Sequence, residues 1–270
     1  MSDNEARKRA ARDFQAANPG TSYTRALRHV TGNKRRPLTA VLGTGLDGDT
    51  VSVNLEWAHA GGSGPHCLVV GSAPEAVASL MAVLAAGLTA GQDRGDLQLV
   101  LCAGEGTQLG VEHLRVDPTD LADHVDELLA ARLQLLQSLE ARDVEDARDE
   151  GHRVATTVVL IEDLDGRWAR SDSLGRWVRM GRSAGINIVL GAAAELPGAA
   201  STSVDDMSPA QVLDRLLRTA HAGGAVAANM SSATLFSLGG GRGTLRTLGQ
   251  WDPDRRRQAP DVLVDFTISQ

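Results

Sequence analysis

The sequence contains few cysteines and few aromatic residues. Its two cysteines, Cys67 and Cys102, both lie in apolar runs, where a free thiol behaves as a small hydrophobic side chain. A disulfide framework is therefore not expected, and this cysteine usage indicates a reducing, cytoplasmic compartment. Aromatic residues make up 3% of the chain, so leucine, valine and alanine must build the core.

Long apolar runs are also missing. No run reaches the roughly 20 residues that a membrane-spanning helix needs, and no cationic start followed by an apolar stretch indicates a secretory signal. The formal net charge is −7, so the chain would need a local basic patch to bind DNA. No two of the seven histidines are four residues apart, and no metal site is predicted.

The chain divides into two parts by its pattern. Residues 1–37 are predicted to form a helical N-terminal arm and linker, with helices at Ser2–Ala17 and Tyr23–Val30. The apolar face of this arm is too small to fold alone, so the arm is either a docking element or packed on the surface. Residues 38–270 are predicted to form one larger domain.

Strand and helix patterns alternate from residue 66 onward, which predicts an α/β fold with a mostly parallel sheet and helices on both faces. Strands are predicted at Thr39–Leu42, Val51–Leu55, Cys67–Val70, Leu97–Cys102, Leu114–Val116, Val154–Ile161, Ile186–Leu190, Gly243–Leu248 and Val262–Phe266. Helices are predicted at Pro74–Ala90, Pro118–Arg142, Ser173–Arg182, Pro209–Ala220 and Ser231–Leu238. Ligands bind such sheets beyond the carboxyl ends of the strands, which points to Gly71, Ala103 and Glu162-Asp163.

The turn after Cys67–Val70 lies where a nucleotide-binding α/β fold has its phosphate-binding loop. Such a loop needs glycines whose backbone N–H groups converge, a lysine for the β- and γ-phosphates, and a Ser or Thr hydroxyl for Mg²⁺. The corresponding residues are Gly71, Ser72, Ala73, Pro74, Glu75, Ala76, Val77 and Ala78. Only the first glycine is present. Ala76, Val77 and Ala78 replace the second glycine, the lysine and the hydroxyl, and no lysine follows Lys34.

The same turn carries groups that oppose a phosphate. Ser72 and Glu75 fit a capping box, in which each side chain bonds the backbone N–H of the other residue. Pro74 removes one N–H from the cradle. Glu75 would place a carboxylate beside a phosphate, and two like charges about 4 Å apart repel by about 4 kcal/mol at an effective dielectric of about 20. The turn is therefore predicted to be a structural joint.

Five segments in chain order carry a resemblance to a known family. They are Leu46-Asp47-Gly48, Pro65–Gly71, Leu128–Asp146, Val158–Asp163 and Gly181–Leu190. Together they resemble the FtsK/SpoIIIE-type ATPase domains, the motor modules of bacterial DNA translocases, conjugative coupling proteins and type VII secretion ATPases. The resemblance covers most of residues 38–267. It implies a RecA-like P-loop NTPase fold in which Val158–Asp163 is the Walker B strand.

The chain departs from that family at several motifs. Ala103 and Glu105 stand where the family has Asp and Lys, and Ala192-Ala193 replace a Thr-Gln pair. Glu162-Asp163 reverse the Asp-Glu order of Walker B, and they either hold Mg²⁺, act as a base, or serve as solvated or capping groups. Because phosphoryl transfer depends on positioning and electrostatics, these losses predict a pseudo-ATPase without a cofactor. ATP and Mg²⁺ are expected only under the alternative, a divergent translocase with weak nucleotide binding.

Arginines are the remaining candidates for contacts. By the resemblance, Arg242 and Arg246 would face a neighbouring subunit. The clusters Lys34-Arg35-Arg36 and Arg255, Arg256 and Arg257 suit solvated surface, a subunit contact or a phosphate backbone. The expected function is a scaffold or partner subunit in DNA transfer, translocation or secretion. The expected partners are an active FtsK/SpoIIIE-like ATPase or further copies in a ring, with DNA as an additional candidate.

Overall fold

A computed structural model defines the fold. It describes residues 3–18, 23, 26, 37–56, 62, 64–71, 73–164, 167–168, 171–193, 233–239, 242–247, 251–252, 257–258 and 262–268. The predicted helix Pro209–Ala220, most of Tyr23–Val30 and the cluster Lys34-Arg35-Arg36 lie outside these residues. The division of the chain at residue 37 stays a prediction.

The described chain contains both helices and strands. The helices are α1 (Asp3–Ala17), α2 (Pro74–Thr89), α3 (Leu121–Ser138), α4 (Val144–Asp149) and α5 (Asp172–Ala184). The strands are β1 (Thr39–Gly45), β2 (Thr50–Asn54), β3 (Cys67–Gly71), β4 (Leu97–Cys102), β5 (Leu114–Arg115), β6 (Thr156–Glu162), β7 (Ile186–Ala193), β8 (Ala233–Gly239), β9 (Arg242–Thr247), β10 (Trp251–Asp252), β11 (Arg257–Gln258) and β12 (Val262–Ile268). None of these helices is long and apolar enough to cross a bilayer.

Ten of the described strands form one sheet, in the order β2-β1-β12-β9-β8-β3-β7-β6-β4-β5. The five neighbours from β8 to β4 are parallel, and the short β5 continues them in parallel. The other side of the sheet, from β9 to β2, is joined by antiparallel pairings. The predicted α/β fold is confirmed, with helices on both faces of its parallel part.

Strand β3 lies inside the sheet, and helices cover both of its faces. All five of its residues are buried. Cys67 and Val69 pack in the cluster that contains the apolar side of α2. Leu68 and Val70 pack in the opposite cluster, with α3 and α5. Because successive side chains of a strand alternate between faces, a wholly apolar run is what this doubly covered position requires.

Both cysteines are buried and free, in agreement with their placement in apolar runs. Burial raises the pKa of the Cys67 thiol to about 12, and burial is also the main cause that raises the pKa of Cys102 to about 11. Both thiols therefore stay protonated at neutral pH and act as small apolar side chains of β3 and β4.

Helix α2 packs through the residues that its sequence period predicts. Val77, Leu80, Met81, Leu84 and Leu88 are all fully buried, and Ala85 joins them. Their spacing of three and four residues places them on one side of the helix. Pro74 occupies the first helical position, where its missing N–H breaks no intrahelical bond.

One predicted helix is wrong. Ser231–Leu238 was expected to be helical, but Ala233–Gly239 forms strand β8, which pairs in parallel with β3 and antiparallel with β9. A short apolar run has too few residues to distinguish a buried strand from a helix by periodicity. Its pairing with β3 and β9 makes this run a strand.

The predicted helix Pro118–Arg142 is too long at both ends. The N-cap of α3 is Asp120 rather than Asp117, and Asp117 instead accepts a hydrogen bond from the Thr119 N–H at 2.8 Å. At the other end Glu140 has a left-handed φ of 54°, and the Ala141 N–H donates to the Leu136 carbonyl at 3.0 Å. This left-handed residue ends the helix.

His66 links β3 to β7 from a buried position. Its side chain is 3% exposed, and its Nδ1 accepts a hydrogen bond from the Ile188 N–H at 3.0 Å. Burial lowers the pKa of His66 from 6.5 to about 4, and the nearby Arg182 charge lowers it further, against a backbone hydrogen bond that raises it. The imidazole is therefore neutral in the folded protein near neutral pH.

We expect the stability of the protein to fall between pH 6.5 and pH 4 because of His66. In this range the unfolded state takes up a proton that the folded state does not, so acidification favours unfolding. The free energy of unfolding should drop by about 3 kcal/mol over the interval. Urea unfolding at a series of pH values measures this slope.

His66→Asn supplies the matched variant, since its amide oxygen can accept the Ile188 N–H bond without titrating. It should flatten the slope, whereas His152→Asn, at an exposed site, should not. An unchanged slope in His66→Asn would contradict the assignment.

Candidate functional site

The carboxyl ends of the parallel strands bring the predicted strand ends to one edge of the sheet. Gly71 at the end of β3 pairs with Ala193 of β7. Glu162 at the end of β6 pairs with Gly191 of β7, and Cys102, just before Ala103, pairs with Ile161. The residues singled out by position in the sequence are therefore neighbours along this edge.

Strand β3 ends at Gly71 and α2 begins at Pro74, so two residues separate them in the chain. The N-cap is Ala73, with an extended backbone (φ −151°, ψ 160°) and no side-chain cap. Its carbonyl accepts hydrogen bonds from the Ala76 N–H at 3.1 Å and the Val77 N–H at 3.3 Å. Two N–H groups of the segment that corresponds to a phosphate-binding loop therefore donate to a carbonyl within the first turn of the helix.

The predicted capping box is wrong, because the helix begins one residue later than that motif requires. With Ala73 as N-cap, Glu75 is the second helical residue and cannot act as the third residue of the box. Its side chain is exposed in the first turn, where a carboxylate complements the positive end of the helix dipole. Ser72 lies outside the described residues.

Val77 fills the space between α2 and two strands. Its side chain is fully buried. A Cβ added to Gly71 would lie 2.8 Å from Val77 Cγ2, and one added to Gly191 would lie 2.6 Å from Val77 Cγ1. Helix α2 therefore approaches β3 and β7 closely at the position aligned with the lysine of a phosphate-binding loop.

Glu162 accepts hydrogen bonds at both carboxylate oxygens. Oε2 accepts from the Gly104 N–H at 3.0 Å, and Oε1 accepts from the Thr107 hydroxyl at 2.8 Å. Both donors lie in the loop that follows β4. Arg115 of β5 donates to the carbonyl oxygens of the same loop, at Ala103, Gly104 and Thr107.

Asp163 contacts a different part of the structure. It is 2% exposed, and its Oδ1 accepts a hydrogen bond from the Trp168 N–H at 2.9 Å. Trp168 packs on Trp177 of α5, with ring centroids 5.5 Å apart. The two adjacent carboxylates thus hold two separate loops, one after β4 and one after β6.

Two alanines, Ala192 and Ala193, lie at the carboxyl end of β7. Ala192 is 5% exposed and Ala193 is partly buried, and neither side chain carries a polar group. Within the described residues, no three His, Cys, Asp or Glu side chains cluster closely enough to hold a metal ion.

The arginines that the sequence predicts to make contacts lie at different places in the fold. Arg242 pairs with Gly239 at the end of β8, and its side chain is exposed, so it lies at the same edge as Gly71. Arg246 pairs with Thr234, nearer the opposite edge. Arg257 pairs with Asp252 in the β10-β11 ribbon, while Arg255 and Arg256 lie outside the described residues.

Sequence reasoning missed Gly104, Thr107 and Arg115 as partners of the site. No motif marks them, since each is an ordinary loop or strand residue. Their role depends on β4 and β6 being neighbours in the sheet, which sequence spacing does not reveal.

The fold is similar to the ATPase domains of type VII secretion proteins. The cytoplasmic domain of the Thermomonospora curvata type VII secretion ATPase EccC matches with a TM-score of 0.62 and 18% identity, over 87% of this chain and 29% of that one. EssC (ATPases 2 and 3) from Geobacillus thermodenitrificans matches with a TM-score of 0.53 and 12% identity, over 86% and 44%. T. curvata EccC (ATPases 2 and 3), in complex with a signal sequence peptide, matches with a TM-score of 0.53 and 16% identity, over 87% of this chain and 41% of that one.

These likenesses establish a RecA-like P-loop ATPase fold. The chain spans less than half of the length of each of these three proteins. No protein-family model and no curated protein matches the sequence.

We expect Gly71→Ala to destabilise the protein by about 1–3 kcal/mol, because the new methyl group overpacks the contact with Val77. Urea unfolding measures the change. Gly106→Ala is the matched control, since a Cβ there meets nothing within 4 Å, and its effect should stay within about 0.5 kcal/mol. Equal effects of the two substitutions would refute the close approach of α2 to β3.

Proposed function

We propose that this chain is a catalytically silent ATPase-like domain that serves as a scaffold or partner subunit in a secretion or DNA-transfer machine. The observation that carries the proposal is the start of α2. The helix begins at Pro74, and the Ala76 and Val77 N–H groups donate to the Ala73 carbonyl. A phosphate-binding loop instead directs such groups at the phosphates.

The charges around this turn also disfavour a nucleotide. Val77 is buried where a phosphate-binding lysine would stand, and the only lysines of the chain are Lys8 and Lys34. Glu75 already places a negative charge in the first turn of α2. The residues present therefore do not fit a bound triphosphate, because the positive groups that position and stabilise its phosphates in a P-loop site are missing from this turn.

The remaining motif positions support the same proposal. Glu162 accepts one hydrogen bond at each oxygen, from Gly104 and from Thr107, so each oxygen already has a partner within the protein. Ala192 and Ala193 offer no hydroxyl or amide to a γ-phosphate.

The proposed partner is a protein. This chain spans 29%, 44% and 41% of the three neighbours described above, and two of them contain ATPases 2 and 3. A silent domain with this fold would pack beside an active ATPase domain or beside copies of itself. DNA contact through Arg255, Arg256 and Arg257 is the less favoured proposal, since the chain carries a net charge of −7 that opposes a polyanion.

Titration calorimetry of the whole chain with ATP and Mg²⁺ tests catalytic silence. We expect no binding tighter than about 1 mM and no phosphate release above the buffer blank. Micromolar binding together with turnover would overturn the proposal in favour of a divergent ATP-driven translocase.

Two matched variants identify the source of any turnover. Loss of turnover in Glu162→Gln, but not in Glu127→Gln on the exposed side of α3, would assign it to this site. Equal turnover in both variants would assign it to a contaminating ATPase.

A further inference from the structure

The loop between β4 and β5 is anchored in the core at both ends of residues 103–109. Ala103 is 6% exposed and Leu109 is 3% exposed, and both pack in the cluster that contains the apolar side of α2. Between them the chain turns tightly, with the Thr107 N–H donating to the Gly104 carbonyl at 3.1 Å. The turn is therefore held close to the carboxyl edge of the sheet.

The turn lies between an anion and a cation. On one side, the Gly104 N–H and the Thr107 hydroxyl donate to the two oxygens of Glu162. On the other side, the Arg115 guanidinium donates to the carbonyl oxygens of Ala103 at 3.0 Å, Thr107 at 3.1 Å and Gly104. The donors of the turn thus meet a carboxylate, and its acceptors meet a guanidinium.

Each hydrogen bond between the turn and Glu162 or Arg115 therefore includes an ionised group. Hydrogen bonds to an ionised group are roughly twice as strong as those between neutral groups. Arginine can serve several carbonyls at once, because its planar guanidinium carries five N–H donors in a fixed geometry. Lysine offers a point charge that cannot reproduce that fork.

We propose that residues 103–109 form a strap that closes over Glu162 without nucleotide, and that Arg115 is the positioning residue that holds the strap closed. The strap occupies one acceptor site on each oxygen of the Glu162 carboxylate, sites that water or a metal ion could otherwise use. The site edge thereby keeps one conformation in the absence of ligand. This consequence rests on the proposed function, whereas the strap itself is tested without nucleotide.

Thr107 provides the variant pair that tests the strap. Thr107→Val keeps the shape of a buried side chain, which is 5% exposed, and removes the hydroxyl donor. Thr107→Ser keeps the donor. Amide hydrogen exchange, followed residue by residue by NMR, reports opening at Gly104 and, for comparison, in β6.

We expect Thr107→Val to speed exchange at the Gly104 amide by about tenfold or more, since a bond to a carboxylate is lost. Thr107→Ser should restore the slow rate. Glu105→Ala, an exposed change in the same loop, should leave it unchanged. Arg115→Lys should also speed exchange at Gly104, although Arg115 does not touch that amide, because the fork across three carbonyls is lost.

The comparison with β6 separates opening of the strap from loss of the fold. If Thr107→Val also speeds exchange in β6, Arg115→Lys decides the matter: faster exchange at Gly104 alone supports the strap. If Gly104 exchanges in Thr107→Val and Arg115→Lys no faster than in Glu105→Ala, the strap is refuted. Micromolar nucleotide binding together with turnover would overturn the silent-ATPase proposal while leaving these exchange results intact.

Discussion

The close packing of α2 on β3 and β7 is the constraint from which the rest of the site follows. Val77 enters the space above Gly71 and Gly191, and a Cβ added at either position would lie less than 3.0 Å from a Val77 methyl group. The helix must therefore begin soon after β3 ends, which leaves two residues for the turn. A short turn cannot direct many N–H groups outward, and those of Ala76 and Val77 donate to the Ala73 carbonyl.

The edge of the sheet is consequently closed by contacts within the protein. After β3, N–H groups in the first turn of α2 donate to the Ala73 carbonyl. At the end of β6, Glu162 accepts hydrogen bonds from the loop after β4. The next residue, Asp163, accepts a hydrogen bond from the loop after β6. Each of these positions would face a ligand in a working nucleotide site. Here each of these positions has a hydrogen-bond partner within the protein.

Much of the architecture could be predicted from the sequence because it depends on local patterns. The apolar run Cys67–Val70 indicates a strand covered on two faces, and the spacing of Val77, Leu80, Met81, Leu84 and Leu88 indicates the buried side of α2. Features that depend on distant pairing could not be predicted. Strand β8 is decided by its neighbours β3 and β9, and the contacts of Glu162 with Gly104 and Thr107 exist only because β4 lies beside β6. The Ala73 cap was missed since Ser72 and Glu75 suggested a stronger local motif.

The pairing on the antiparallel side of the sheet determines which strand edge is exposed while the protein is being synthesised. Strand β1 lies between β2 and β12, and Gly43 pairs with Ile268. On the ribosome, β1 and β2 can pair as soon as they emerge, but the other edge of β1 cannot pair with β12 until residues 266–268 have been synthesised. Such non-local pairing is slow and leaves an open strand edge while it is awaited. A nascent chain of this protein would therefore present that edge to chaperones or to neighbouring chains until β12 has emerged.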